Sequence, residues 1–230
     1  MSQILLVTGG SRGIGAAVCR RAAKEGYSVA VNFHRDLISA NYVVDDITND
    51  GGIAFTVQAD VSLEADIIRM FDEVTERLGV PSGLVNSAGV GGKHMLISDF
   101  EKVELDQLMQ VNVIGTMLCC REASRRMSTQ FGGSGGSIVN VSSMASTIGG
   151  RPGNSAYAAS KAAEDAFTVG FAKEIGTQGI RVNAVRPGVT LTDMTSTVRD
   201  NENVRKNIES TIAMQRTADP DEIAVPILWC

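Results

Sequence analysis

The sequence predicts an α/β fold, a doubly wound parallel sheet with helices on both faces, and three observations point to it. Short apolar, β-rich runs alternate with longer helical patterns along most of the 230 residues. The apolar runs show little in-out alternation, as expected of strands covered on both faces. A glycine-rich turn, Thr8-Gly9-Gly10-Ser11-Arg12-Gly13-Ile14-Gly15, follows the first run directly. With right-handed crossovers this is a Rossmann-type sheet. No internal repeat or linker divides the chain, so residues 1–230 read as one domain.

Taken in order, strands are predicted at 4–7, 28–33, 53–58, 83–85, 137–141 and 180–184. The helical patterns between them cover 14–25, 37–49, 64–78, 102–130 and 157–175. Gly132-Gly133-Ser134-Gly135-Gly136 lies between a helix and a strand and reads as a loose surface turn. Residues 188–216 are polar, with a weak helical pattern near 204–212, and follow a strand's carboxyl end. Ligands bind at that edge of an open α/β sheet, which predicts a lid there. The chain stops at Cys230 inside a helix opened by Asp219-Pro220-Asp221-Glu222, a good N-terminal signature.

Bulk properties exclude several classes. A net charge of −5 with no basic block argues against nucleic acid or an anionic membrane surface as partner. The opening apolar run from Met1 is too short for a signal-peptide core, and no segment approaches a membrane span. Cys19, Cys119, Cys120 and Cys230 have no metal-ligand spacing and read as buried thiols in a reducing cytoplasm. No metal site is expected. His34 and His94 are the only histidines, and neither sits beside a candidate nucleophile, so a hydrolase triad is excluded.

The chemistry-bearing residues lie near predicted strand ends and helix starts. Glycines in the first turn let the backbone approach a pyrophosphate, whose charge the helix N-terminus favours. Asn32 stands near the position where an acidic residue would bind the ribose of NAD, and Asp36 follows slightly late. Arg12 and Arg35 could instead hold a 2′-phosphate. Asp60-Val61 is either an adenine contact or a helix cap. Asn86-Ser87-Ala88-Gly89 offers small residues at a strand end. Asn112 interrupts a helical pattern, which suggests a specific hydrogen bond. Asn140-Val141-Ser142-Ser143 places hydroxyls at the same edge. Tyr157 and Lys161 are one helical turn apart, and an adjacent ammonium favours the phenolate.

In this order and at these separations, the residues resemble the short-chain dehydrogenase/reductase family, NADP type, over nearly the whole chain. They are most similar to bacterial carbonyl reductases and sugar dehydrogenases. The resemblance implies hydride transfer between NADP(H), with NAD(H) possible, and a small carbonyl or secondary-alcohol substrate. It implies Tyr157 as acid/base, Ser143 orienting the substrate oxygen, Lys161 on the nicotinamide ribose and Asn112 holding a relay water. Gly9, Ser11, Arg12, Gly13, Ile14, Gly15, Asn32 and Arg35 would bind the pyrophosphate and adenosine side. Asp60 and Val61 would meet adenine, and Asn86, Ala88 and Gly89 the ribose. Pro187, Gly188, Val189 and Thr192 would border the nicotinamide.

Relatives continue past the position of Cys230 with a last strand, so a missing strand and an open sheet edge are expected here. Ser87 departs from the usual Asn or Ala, and an extra residue near Gly149-Gly150-Arg151 should reshape the substrate mouth. Helices 102–130 and 157–175 carry Met109, Met117, Phe167 and Phe171 beyond what one sheet face needs, which predicts a homodimer or homotetramer. The rival reading is a catalytically silent dinucleotide-binding sensor or regulator. Intact Ser143, Tyr157 and Lys161 argue against it.

Overall fold

The structure, a computed structural model, describes residues 3–230. Met1 and Ser2 of the opening run lie outside them. Strands β1 (Ile4–Thr8), β2 (Ser28–Phe33), β3 (Ile53–Gln58), β4 (Gly83–Asn86), β5 (Gly136–Val141) and β6 (Ile180–Val185) form one sheet in the order β3-β2-β1-β4-β5-β6. Every neighbouring pair is parallel. The order reverses between β1 and β4, which opens a crevice beyond the strands' carboxyl ends. Thr8, Asn86 and Asn140 stand side by side in register at that edge.

Helices α1 (Gly13–Lys24) and α2 (Leu37–Asn49) cover one face of the sheet, joined by α10 (Pro220–Trp229). Val7, Val31, Val85 and Ile227 meet there in a buried cluster. Helices α3 (Glu64–Arg77), α5 (Thr116–Met127) and α7 (Ser155–Ile175) cover the other, around Leu6, Phe71, Met127 and Ile138. The side chains of β1, β2 and β4 are buried on both faces, so their sequences lack the alternation of a half-exposed sheet, while the edge strands β3 and β6 are partly exposed.

Three expectations are corrected. The 102–130 helix is α4 (Lys102–Met109), a π-helical turn Gln110–Gly115, and α5. The wider turn brings Asn112 into side-chain hydrogen bonds with Val90, which a straight α-helix would not have to accommodate. The Gly132–Gly136 run is a surface turn, with Gly132 and Ser134 exposed, but it is not loose: Gly135 has φ +77°, and a Cβ there would strike the Gly179 carbonyl. Phe171 is a core residue, and Phe167 stacks on it with ring centroids 5.2 Å apart, so neither is spare surface. Met109 is exposed as expected, together with Ile114, Val103 and Val169. Residues 188–216 hold a short 3-10 turn and helices α8 (Ser196–Asp200) and α9 (Glu202–Glu209), rooted by a bridge between Thr190 and Ala218.

Glu122 on α5 is buried and receives Arg121, Arg125 and Arg126 at 2.6 to 3.0 Å. Burial pushes its carboxyl up, but the hydrogen bonds and charges of Arg126 and Arg121 outweigh that and hold it below the usual range. Glu122→Ala should therefore cost about 1.5 to 3 kcal/mol, the worth of a hydrogen bond to a charged group. Because the folded value is depressed, that advantage exists above the ordinary glutamate range and disappears as pH falls through the folded value. Thermal melts of both proteins at neutral and acid pH check it: the gap in melting temperature should close in acid.

Candidate active site

The turn after β1 is shaped by contact with the backbone that leaves β4. Gly9 has φ +63°, and a Cβ on it would lie 2.8 Å from the Ala88 Cα. A Cβ on Gly15 would strike the Gly9 carbonyl. Thr8 Oγ1 accepts hydrogen bonds from the Ser87 and Ala88 N–H groups at 3.1 and 3.2 Å, which locks the two segments together. Helix α1 then begins at Gly13 with no side chain capping its first turn. Its first N–H groups point out of the helix, which suits a pyrophosphate. Ser11, Gly13 and Ile14 are half-buried around this turn.

Asn32 does not face that crevice. It is buried, and its Oδ1 accepts from the Gly9 N–H at 3.1 Å while Nδ2 faces the Phe33, Val57 and Ala59 carbonyls at 3.2 to 3.3 Å. Its side chain is committed to shaping the glycine turn, against the expectation that it faces a ribose. The exposed residues at the end of β2 are His34 and Arg35. Asp36 caps α2, and hydrogen bonds from the Ser39 N–H and hydroxyl hold its carboxyl below the usual range. Arg12 reaches Asp36 at 3.2 Å and Asp193 at 3.6 Å, linking the turn to the 188–216 segment.

Asp60 does not cap α3, whose N-cap is Leu63. Its Oδ1 accepts from the Ser62 N–H and hydroxyl, and its Oδ2 lies 3.2 Å from His34 Nε2. Val61 is buried against Gly115. The Asn86 side chain is also turned inward: Nδ2 donates to Asn140 Oδ1 at 2.9 Å and contacts Cys120 Sγ at 3.3 Å. It ties β4 to β5 across their register pair rather than offering its amide to a ribose. Cys19, Cys119 and Cys120 are buried, and burial pushes the Cys119 thiol up to about 12. Cys230 is only half-buried, against expectation.

Asn112 accepts from the Val90 N–H at 2.8 Å and donates to the Val90 carbonyl at 2.9 Å and to Ser160 Oγ at 3.1 Å. Both amide hydrogens are used, so its side chain braces the β4 loop against α7. Lys161, buried on α7, donates from Nζ to the Val141 carbonyl at 2.8 Å and to Glu164 Oε2 at 2.7 Å. A Cβ added to Gly89 would lie 3.7 Å from that Nζ. Lys161, Asn112, Gly89 and the end of β5 thus come together.

Tyr157 is half-buried one turn before Lys161. Ser143 is half-buried two residues past β5, with Oγ accepting from the Ala145 N–H at 3.1 Å. The adjoining Met144 N–H donates to the Pro187 carbonyl at 3.0 Å, so Ser143 and Pro187 border one cleft. Gly188 is exposed and Val189 half-buried beside it. Thr192 Cγ2 would meet a Cβ on Gly13 at 3.1 Å, which places it over the glycine turn. The mouth segments also meet: the Met95 N–H donates to the Gly153 carbonyl, and Met194 lies against Gly91.

Sequence reasoning missed Thr8, Ser160, Asp193 and Glu164. Of these only Glu164 carried a usable signal, a carboxylate three residues after Lys161 on the same helical face. Among the described residues, no group of three His, Cys, Asp or Glu side chains is placed to hold a metal ion, and no helix is long and apolar enough to cross a membrane.

Comparison with known proteins places the chain. The short chain dehydrogenase family profile matches residues 3–203. The Escherichia coli (strain K12) protein named uncharacterized oxidoreductase YgfF is 43% identical over 226 residues, covering 98% of this chain and 91% of that one. A Staphylococcus aureus protein named 3-oxoacyl-[acyl-carrier-protein] reductase is 34% identical over 224 residues, covering 97% and 88%. A solved short chain dehydrogenase from Burkholderia cenocepacia, in complex with NADP, superposes with a TM-score of 0.89 at 33% identity over 99% of this chain and 89% of that one.

Proposed function

We propose that this chain, which belongs to the short-chain dehydrogenase/reductase family, reduces a ketone to a secondary alcohol with a preference for NADPH. One observation carries the reading: Tyr157 and a buried, oriented Lys161 stand one helical turn apart at the sheet's carboxyl edge. The start of α1, where no side chain caps the first turn, and the close approach of Gly9 to Ala88 fit a dinucleotide, because the first N–H groups of the helix are left for a phosphate.

When bound, the cofactor supplies the hydride that adds to the carbonyl carbon. The chain's own residues do the rest. Tyr157 gives its phenolic proton to the carbonyl oxygen as negative charge develops there, and Ser143 orients that oxygen. The ammonium of Lys161 favours the phenolate left on Tyr157, and its remaining hydrogen would be free for the ribose of a bound cofactor. Arg12 and Arg35 would hold the 2′-phosphate that distinguishes NADPH, and residues 188–216 would cover the bound cofactor. The exposed Val103, Met109, Ile114 and Val169 form the contact of a homodimer or homotetramer.

Relatives named 3-oxoacyl reductases make 3-oxoacyl thioesters the first substrates to try. Assays with such thioesters, simple ketones and sugars, each with NADPH and NADH, should give consumption of NADPH with at least one carbonyl. Saturable NADPH binding without turnover across the panel would sink the reading.

A further inference from the structure

We propose that Glu164 is a positioning residue for this reaction: its carboxylate fixes the direction of the Lys161 ammonium and offsets part of the charge that Lys161 presents to Tyr157. The proposal rests on the roles just given to Tyr157 and Lys161.

The geometry is specific. Glu164 lies on α7 one turn after Lys161 and is almost fully buried, with Oε2 receiving Nζ at 2.7 Å. An ammonium has three hydrogens. One goes to the Val141 carbonyl and one to Glu164, so the direction of the third is set by the other two. The partner is also enclosed: Oε1 of Glu164 has no hydrogen-bond partner, which leaves Lys161 as the carboxylate's one hydrogen-bond partner among the described residues. A buried ion pair of this kind adds little stability against an apolar replacement of similar size. A carboxyl side chain kept at that depth on Lys161, beside the acid/base pair, therefore points to a role in the site.

The charges around the carboxyl act in known directions. Burial pushes Glu164 up, Lys161 pulls it down and Asp165 on the same helix pushes it up again. Asp165 is itself paired with Arg186 beyond β6 at 2.8 Å. From α5 the facing titratable group is Cys120, whose thiol burial keeps well above its ordinary range. From β5 the Val141 carbonyl shares the Lys161 ammonium with it, and the neutral Asn140 amide is held by Thr168 on α7. Lys161 is thus the one cation paired with Glu164, and a change in its charge is felt first at Lys161.

The test reads the phenol directly and needs no substrate. Phenolate absorbance is titrated in the wild type and in Glu164→Gln, and each curve is corrected by the same protein carrying Tyr157→Phe, which leaves Tyr27 and Tyr42 as common background. Glutamine keeps an acceptor for Nζ and removes the charge. The Tyr157 midpoint should move down by about one unit, the lower end of the effect of a neighbouring charge. Glu164→Leu, apolar and of similar volume, serves as a second variant should Glu164→Gln fold poorly, with the same direction expected and weaker NADPH binding because the ammonium loses its aim. A Tyr157 midpoint that stays in place or rises would overturn the proposal. That outcome differs from failure of the underlying reading, which would appear as undiminished turnover in Tyr157→Phe.

Discussion

Tyr157→Phe is expected to lower turnover by about 10² to 10⁴-fold, the usual contribution of a positioned general acid or base. The substitution removes one hydroxyl from a half-buried ring. The hydrogen bond found at Tyr157 runs from the Ser160 hydroxyl to its main-chain carbonyl at 2.8 Å, which phenylalanine retains. Fold, melting temperature and NADPH affinity should therefore survive. NADPH oxidation with the best ketone from the panel measures the loss, and fluorescence titration measures binding. Wild-type rates in the variant would rule out the mechanism. Lys161→Ala should also lower turnover, but it is a less clean probe. It strands the buried Glu164 carboxylate and the Val141 carbonyl, so loss of stability would accompany loss of charge.

Strand positions were legible because burial of the central strands on both faces writes itself as continuous apolar runs, and β2 comes out with the predicted bounds, as does the partly exposed edge strand β3. The Tyr157–Lys161 pair was legible because both lie on one helix, where spacing alone fixes the shared face. What failed depended on contacts between distant segments. Asn32 and Asn86 carry the right chemistry for a ribose, yet each is turned inward by partners 25 and 54 residues away, Val57 and Asn140. Their strand positions could be read, but not the direction of their amides. The break at Asn112 was visible as a poor helix former. Its cause, Val90 across the crevice 22 residues away, was not. The glycine run before β5 failed in the opposite sense. Composition suggested looseness, while close packing against Met127, Gly179 and Ser82 is what demands glycine there.

Arg12→Ala should weaken NADPH binding by tenfold or more and leave NADH nearly unchanged, since a hydrogen bond to a charged group is worth about 1.5 to 3 kcal/mol. The structure sharpens this expectation by showing what Arg12 does otherwise. Its guanidinium is 53% exposed and shared between Asp36 and Asp193, a surface arrangement of small net worth. A 2′-phosphate can displace such partners, but it must approach the Asp36 carboxylate to do so, and like charges repel. Asp36 therefore limits the preference that Arg12 creates. Asp36→Ser should strengthen NADPH binding several-fold and not NADH binding, because serine removes the charge while keeping an oxygen to cap α2. Calorimetric titration of both cofactors into wild type, Arg12→Ala and Asp36→Ser decides the matter. Equal losses of NADPH and NADH in Arg12→Ala would reduce Arg12 to a structural tie between turn and lid. Unchanged or weaker NADPH binding in Asp36→Ser would show that the carboxylate does not oppose the phosphate.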